Sequence, residues 1–469
     1  MPFATTTFIF VFLPLSLILY FIAPKKGKNI ILLLLSLLFY AVGGFSVIKF
    51  ILSVTVFDYI CGIVIAHTTH YAAIKRKMIL AASLIGTCIP LLYFKYYNYA
   101  VENLNDILGV NIAFKELALP LGISFFTFKG ISYLMDIYRK EINKKQTKSV
   151  LNVFMYMLFF PQVVSGPIEQ YKNFQPQIAS RETTLEHVSH GLWRIVVGLS
   201  KKIMIADILG AQVDLIWNNM GIVGIDTPTA WLGALLYMMQ IYFDFSGYSD
   251  MALGLCEVFG FKFGENFDYP YISKSITEFW RRWHISLSRW FREYLYIPLG
   301  GNRRGNVYIN LFIVFFVTGI WHGTANTFLI WGFVHGFFMI LERVIKNKHW
   351  YQKVPVPIKM VVTNFIVMIG WVIFRAPTEE KAVEYLKNMF QTGVSDVQFT
   401  VQYYASNRII FFLGIAMIAC IPFWKNKANK VKDMKLFCII KMVTMMLLLS
   451  IGIITMMNSN YSPNIYFQF

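Results

Sequence analysis

The chain has 469 residues, 57% of them hydrophobic and only 14% charged, where a soluble globular chain carries about 25% charged residues. That is too little charge to coat a water-facing surface, which excludes a soluble enzyme and leaves an all-α polytopic membrane protein. The net charge of +18 does not argue for nucleic acid, because Lys and Arg cluster in short loops between apolar runs with Trp and Tyr nearby, the pattern of cytoplasmic loops and interfacial belts.

A membrane span needs about 20 apolar residues. In chain order the candidates are 7–23, 29–48, 49–66, 78–94, 118–138, 150–166, 188–211, 229–256, 307–320, 326–342, 358–374, 409–424 and 436–457. Several are short or interrupted by Gly and Pro, so about eleven to thirteen spans or re-entrant segments are expected. The first lacks a positive leader and a clean cleavage site, and Lys25, Lys26 and Lys28 follow it; a retained span is expected. The basic loops at Lys25–Lys28, Lys75–Lys77, after Tyr138, after Glu342 and from Lys425 belong in the cytoplasm. Three crossings between the Tyr138 loop and residue 279 would put an arginine-rich stretch outside, so one of 150–166, 188–211 and 229–256 is expected to be re-entrant. Both termini then lie outside. One membrane domain over 1–469 is expected, with residues 457–469 as an extracytoplasmic aromatic tail. The polar excursion 376–408 contains a short amphipathic helix, with Thr378 as its N-cap and Glu379 and Glu380 in its first turn.

Residues 279–306, FWRRWHISLSRWFREYLYIPLGGNRRGN, hold six arginines and three tryptophans. Six arginines at bilayer centre would cost roughly 15–20 kcal/mol, so the stretch is not a lipid-facing span. At helical spacing Trp283, Leu287, Trp290 and Leu295 share one face, while Arg281, Ser288 and Arg292 share another. Amphipathic helices at the cytoplasmic interface are expected, ended by Pro298 and Gly300–Gly301. Their arginines either rest on anionic headgroups or face a ligand.

Two histidines fall inside apolar runs: His322 in FIVFFVTGIWHGTANTFLIWGF, and His335 in the next span. An ionisable group at such depth is a functional-site candidate, and neutral imidazole suits general-base work near pH 7. His187 and His190 lie at the end of a polar loop and read as solvated side chains, so no metal site is expected; the five scattered cysteines read as small hydrophobes. Asp244 and Asp250, in QIYFDFSGYSDMALG, need partners, and the arginines or histidines of the following segment are the expected ones. Their role is either structural pairing or catalysis.

FFPQVVSGPIEQ (159–170), QIYFDFSGYSDMALG (240–254), the arginine-rich block, TGIWHG (318–323) and the terminal NIYFQF together resemble the membrane-bound O-acyltransferase (MBOAT) family, in its bacterial alginate O-acetyltransferase-like branch. The blocks run in family order along nearly the whole chain. The sequence departs at Gln170, where the branch often has Arg. The resemblance implies about eleven spans around a central tunnel, floored by re-entrant and amphipathic helices, in the bacterial cytoplasmic membrane. It maps the catalytic histidine onto His322 and the second polar position onto His284, with Trp321, Asp244 and Asp250 as supporting groups. Acetyl-CoA or another acyl thioester would be the donor, held by Arg281, Arg282, Trp283, Trp290 and Arg292. An exported or cell-envelope polysaccharide would be the acceptor, served by an extracytoplasmic SGNH-type transferase. Tyr466 is either an acyl relay to that partner or part of a tail docked at the interface. D-alanyl transfer to teichoic acid, and a transporter or flippase using the same tunnel, are the competing functions.

Overall fold

The computed structural model describes residues 1–117, 119–120, 122–142, 147–163, 166–391, 397–423 and 435–458. Helices and short turns are its only regular elements among those residues. A helix lies at each of the thirteen segments expected from the hydropathy pattern. Five are long and apolar enough to cross a membrane: Phe45–His70, Ala73–Leu108, Asn326–Ile345, Val356–Arg375 and Cys438–Asn458. Shorter apolar helices include Phe8–Ile22, Lys28–Ala41, Val307–His322 and Asn407–Ala419. Their outward side chains are large and apolar, for example Ile60, Ile85, Val361 and Ile454, as a lipid solvent permits. The protein is a multi-pass membrane protein.

The described residues form two compact units, Met1–Leu192 with Ala252–Phe263, and Trp193–Met251 with Gly264–Phe469. In the first, Phe3, Phe8, Phe12, Phe39 and Phe160 pack ring against ring. Tyr20 donates its hydroxyl to the Phe259 carbonyl at 2.9 Å. The Val150–Leu158 helix has nine residues, of which Val153, Met155, Tyr156, Met157 and Leu158 are buried. It rises only about 14 Å, less than half the hydrocarbon thickness. The Ala73–Leu108 helix runs 36 residues, well beyond the expected 78–94. Its polar end is held by its own asparagines: Asn98 pairs with both backbone groups of Lys115, and Asn105 with both of Ile112.

The helix whose residues from Trp193 onward belong to the second unit changes pitch there. Leu185–Ser200 passes through a π-helical turn, Lys201–Ala206, into Asp207–Met220. At Gly198 it lies backbone to backbone against Gly247 of the Thr227–Val258 helix. A Cβ on Gly198 would sit 2.5 Å from the Gly247 carbonyl oxygen, and one on Gly247 2.7 Å from that of Gly198, so only glycine fits at either position. The close approach and the wide turn together aim the Lys201 and Lys202 ammoniums at the facing helix.

A second close seam joins Val307–His322 to Asn326–Ile345. A Cβ on Gly319 would meet the Phe328 carbonyl oxygen at 2.7 Å, and one on Gly332 that of Phe315 at 2.6 Å. The amphipathic helix forms at Glu379–Phe390, with Thr378 capping the Lys381 N–H. The Thr378 hydroxyl also holds the Glu380 carboxyl below its usual range.

Candidate active site

The arginine-rich block folds as two short helices, Ile276–Arg282 and Ile285–Phe291, followed by a π-helical turn, Arg292–Tyr296. Of its expected faces, Trp283, Leu287 and Trp290 are buried and Leu295 is half-buried, while Arg281 and Arg292 are exposed and Ser288 is half-buried. Trp283 belongs to an aromatic cluster with Phe267, Phe279 and Trp371 at ring distances of 5.1, 5.6 and 4.8 Å. Trp290 packs on Tyr294. The Arg282 guanidinium binds Glu278 at 2.9 Å and Asp268 at 3.2 Å. Arg281 and Arg292 line an apolar cleft of about 240 Å³ that reaches Phe315 and Thr318. Arg281 also walls an adjoining polar cleft of about 610 Å³ beside Glu342, Arg343 and Lys346.

His284 joins the two short helices in the left-handed region, φ 45° and ψ 55°, a conformation that costs a non-glycine residue on the order of 1 kcal/mol or more. Its ring stands edge-on to Phe245 at 4.6 Å and is 1% exposed. His322 ends the Val307–His322 helix and is 4% exposed, with Trp321, Trp331 and Phe374 at 4.8, 5.1 and 5.1 Å. Trp283, Trp371 and Phe374 connect the two histidines' surroundings through ring contacts of 4.8 and 5.6 Å. The structure therefore gathers both into one aromatic core. Trp321 flanks His322, and Thr318 stands one turn before it on the same helix.

His335 occupies a different setting. It is fully buried between Phe279, Trp280 and Trp331, and neither ring nitrogen has a hydrogen-bond partner among the described residues. A Cβ on Gly370 would lie 2.6 Å from its Nε2. A polar group held without partners destabilises by about 1–3 kcal/mol. His335→Leu is therefore expected to leave the melting temperature of the purified protein unchanged or higher, and acyl transfer unaffected. Loss of transfer at normal stability would give His335 a chemical role.

The aspartates draw their partners from the preceding helix, not from the following segment as the sequence suggested. Asp244 meets Lys202 at 2.9 Å, and Lys202 also binds Asp207. Asp250 meets Lys201 at 2.6 Å and Arg194 at 2.9 Å, and Arg194 also binds Glu265. The glycine seam that brings the two helices together decides this choice. Lys202 and Asp207, which no expectation above includes, carry a visible signal in the sequence, since both are ionisable residues within the apolar run 188–211. His190 Nδ1 lies 2.7 Å from Glu257 Oε2. Tyr466 lies outside the described residues.

The profile of the membrane-bound O-acyltransferase family matches residues 7–376. The probable alginate O-acetylase AlgI of Pseudomonas putida is 37% identical over 496 aligned residues, with both chains covered completely. The peptidoglycan O-acetyltransferase of Helicobacter pylori is 33% identical, covering all of this chain and 97% of its own. The teichoic acid D-alanyltransferase of Bacillus subtilis is also 33% identical, but over 54% of this chain and 68% of its own. A profile match over residues 7–376 and relatives 33–37% identical along the whole chain show the family: the chain belongs to the membrane-bound O-acyltransferase family and is an acyltransferase that uses an acyl donor.

Proposed function

We propose that the protein transfers acetyl groups from a cytoplasmic thioester, such as acetyl-CoA, across the bacterial cytoplasmic membrane for O-acetylation of an exported or cell-envelope polysaccharide. One observation carries this reading: similarity to O-acetylating relatives extends over the full chain. Similarity to the D-alanylating relative spans about half of it.

His322 is the general base. It takes the proton of an acceptor hydroxyl as that oxygen attacks the thioester carbonyl. The carbon–sulfur bond breaks, and the proton passes to the departing thiolate, releasing a thiol. His284 orients the reacting groups or shares the proton, while Trp321 packs against the His322 ring. Arg281 and Arg292, exposed on the cleft that leads to Thr318, hold the anionic part of the donor. Arg282, Trp283 and Trp290 shape that side from within, and Asp244 and Asp250 support it through their ion pairs. Both termini are extracytoplasmic in this reading, and a single membrane domain carries the chemistry.

Tyr466 receives the acetyl group as an aryl ester and passes it to an extracytoplasmic SGNH-type transferase that modifies the polymer. The reading is tested by measuring ester-linked acetate on the producing cell's polysaccharide when His322 is replaced by Ala. Tyr466→Phe, which removes only the hydroxyl, is expected to abolish both polymer acetylation and the release of thiol from the donor thioester. Full acetylation in that variant would end the relay.

A further inference from the structure

We propose that Asn266 is the positioning residue for His284, holding its imidazole as the Nδ1–H tautomer so that Nε2 is the proton acceptor. This rests on the reading that His284 takes part in acyl transfer, but it concerns a residue and a protonation state which that reading leaves open.

The argument begins with the elbow. His284 adopts left-handed backbone angles between two short helices, and that turn aims successive groups at one residue. The Asn266 main-chain carbonyl accepts the Ile285 N–H at 2.9 Å. The Asn266 side-chain Oδ1 accepts the Ser286 N–H at 3.1 Å and faces the Ser286 hydroxyl at 2.8 Å. His284 Nδ1 lies 3.1 Å from the same Oδ1. Asn266 and His284 are each 1% exposed.

A peptide N–H can only donate, so the amide atom facing Ser286 must be the oxygen. An oxygen so placed can engage His284 Nδ1 only if that nitrogen carries a hydrogen. Neutral imidazole has one ring hydrogen, and with it on Nδ1 the lone pair is on Nε2. The same carboxamide therefore fixes the elbow, the ring orientation and the tautomer. Phe245, edge-on at 4.6 Å, restrains the ring from the side. Asn266 also lines a pocket of about 290 Å³ together with Ser246, Ser249 and Asp250. Neither Asn266 Nδ2 nor the Ser246 or Ser249 hydroxyl has a hydrogen-bond partner among the described residues.

The test uses the full-length protein in detergent with ¹⁵N-labelled histidine, the His284 signals being identified by their loss in His284→Gln. The expected wild-type spectrum shows His284 protonated at Nδ1. Asn266→Ala is expected to move the proton to Nε2 or divide it between the nitrogens, and to lower polysaccharide acetylation at least about tenfold. Asn266→Asp keeps the acceptor oxygen, so it should retain both the Nδ1–H signal and most of the acetylation. A wild-type His284 protonated at Nε2, or an unchanged Nδ1–H signal in Asn266→Ala, would overturn the assignment. If Asn266→Ala does not accumulate, the wild-type and Asn266→Asp spectra decide it. Full acetylation in His284→Gln would instead remove His284 from catalysis, an outcome independent of the tautomer.

Discussion

His322→Ala is expected to lower polysaccharide acetylation by at least about a hundredfold, the lower bound for removing a general base, while the protein still inserts and accumulates. The second half of that expectation follows from where His322 stands. It is the last residue of its helix, beyond the Gly319–Gly332 seam, so helix packing does not depend on its ring. The cavity left among Trp321, Trp331 and Phe374 costs some stability, and His322→Gln keeps most of the volume while removing a titratable nitrogen. Both variants should be inactive with near-normal abundance by immunoblot of membranes. Acetylation near the wild-type level in His322→Gln would remove the imidazole from the mechanism. The comparison with His335→Leu matters because both rings touch Trp331. A general disturbance of the aromatic core would impair both variants alike, whereas loss of a base impairs only one.

Much of this arrangement is legible in the sequence, because lipid makes every charge expensive. The cost of six arginines removes residues 279–306 from the spans, and the helical spacing of Trp283, Leu287 and Trp290 gives the buried face that the structure contains. His322 stands out for the same reason. Cost alone, however, does not separate His322 from His335, since both interrupt apolar runs. Their difference lies in tertiary surroundings, a helix end for one and an enclosure of rings for the other.

The pairing of Asp244 and Asp250 was illegible for a related reason. It depends on a backbone contact between Gly198 and Gly247 across a long sequence separation. The π-helical turn that carries Lys201 and Lys202 has no signature in hydropathy. Asn266 has none either: its role arises from a left-handed turn eighteen residues further along the chain, at a histidine and not at the glycine such a turn usually takes.

The second large effect is on stability, at Lys202. Its side chain is fully buried, and its ammonium lies between Asp244, at 2.9 Å, and Asp207. Lys202→Ala would leave two carboxylates in a low-dielectric interior with no cation between them. Breaking a buried pair from one side costs about 3–5 kcal/mol, expected to appear as a melting temperature lowered by on the order of 10 °C and as reduced abundance. Removing the charges together should recover most of that loss, because a neutral cluster of similar volume avoids the desolvation cost. The test is therefore Lys202→Met alone against Lys202→Met with Asp207→Asn and Asp244→Asn, each purified in detergent and melted. Equal melting temperatures for the single variant and the wild type would show that the ion cluster does not hold these helices together. Lys201 provides the contrast. It is partly exposed, and Asp250 keeps Arg194 when Lys201 is lost. Lys201→Ala should therefore cost no more than about 1 kcal/mol, even though it lies one residue away on the same π-helical turn.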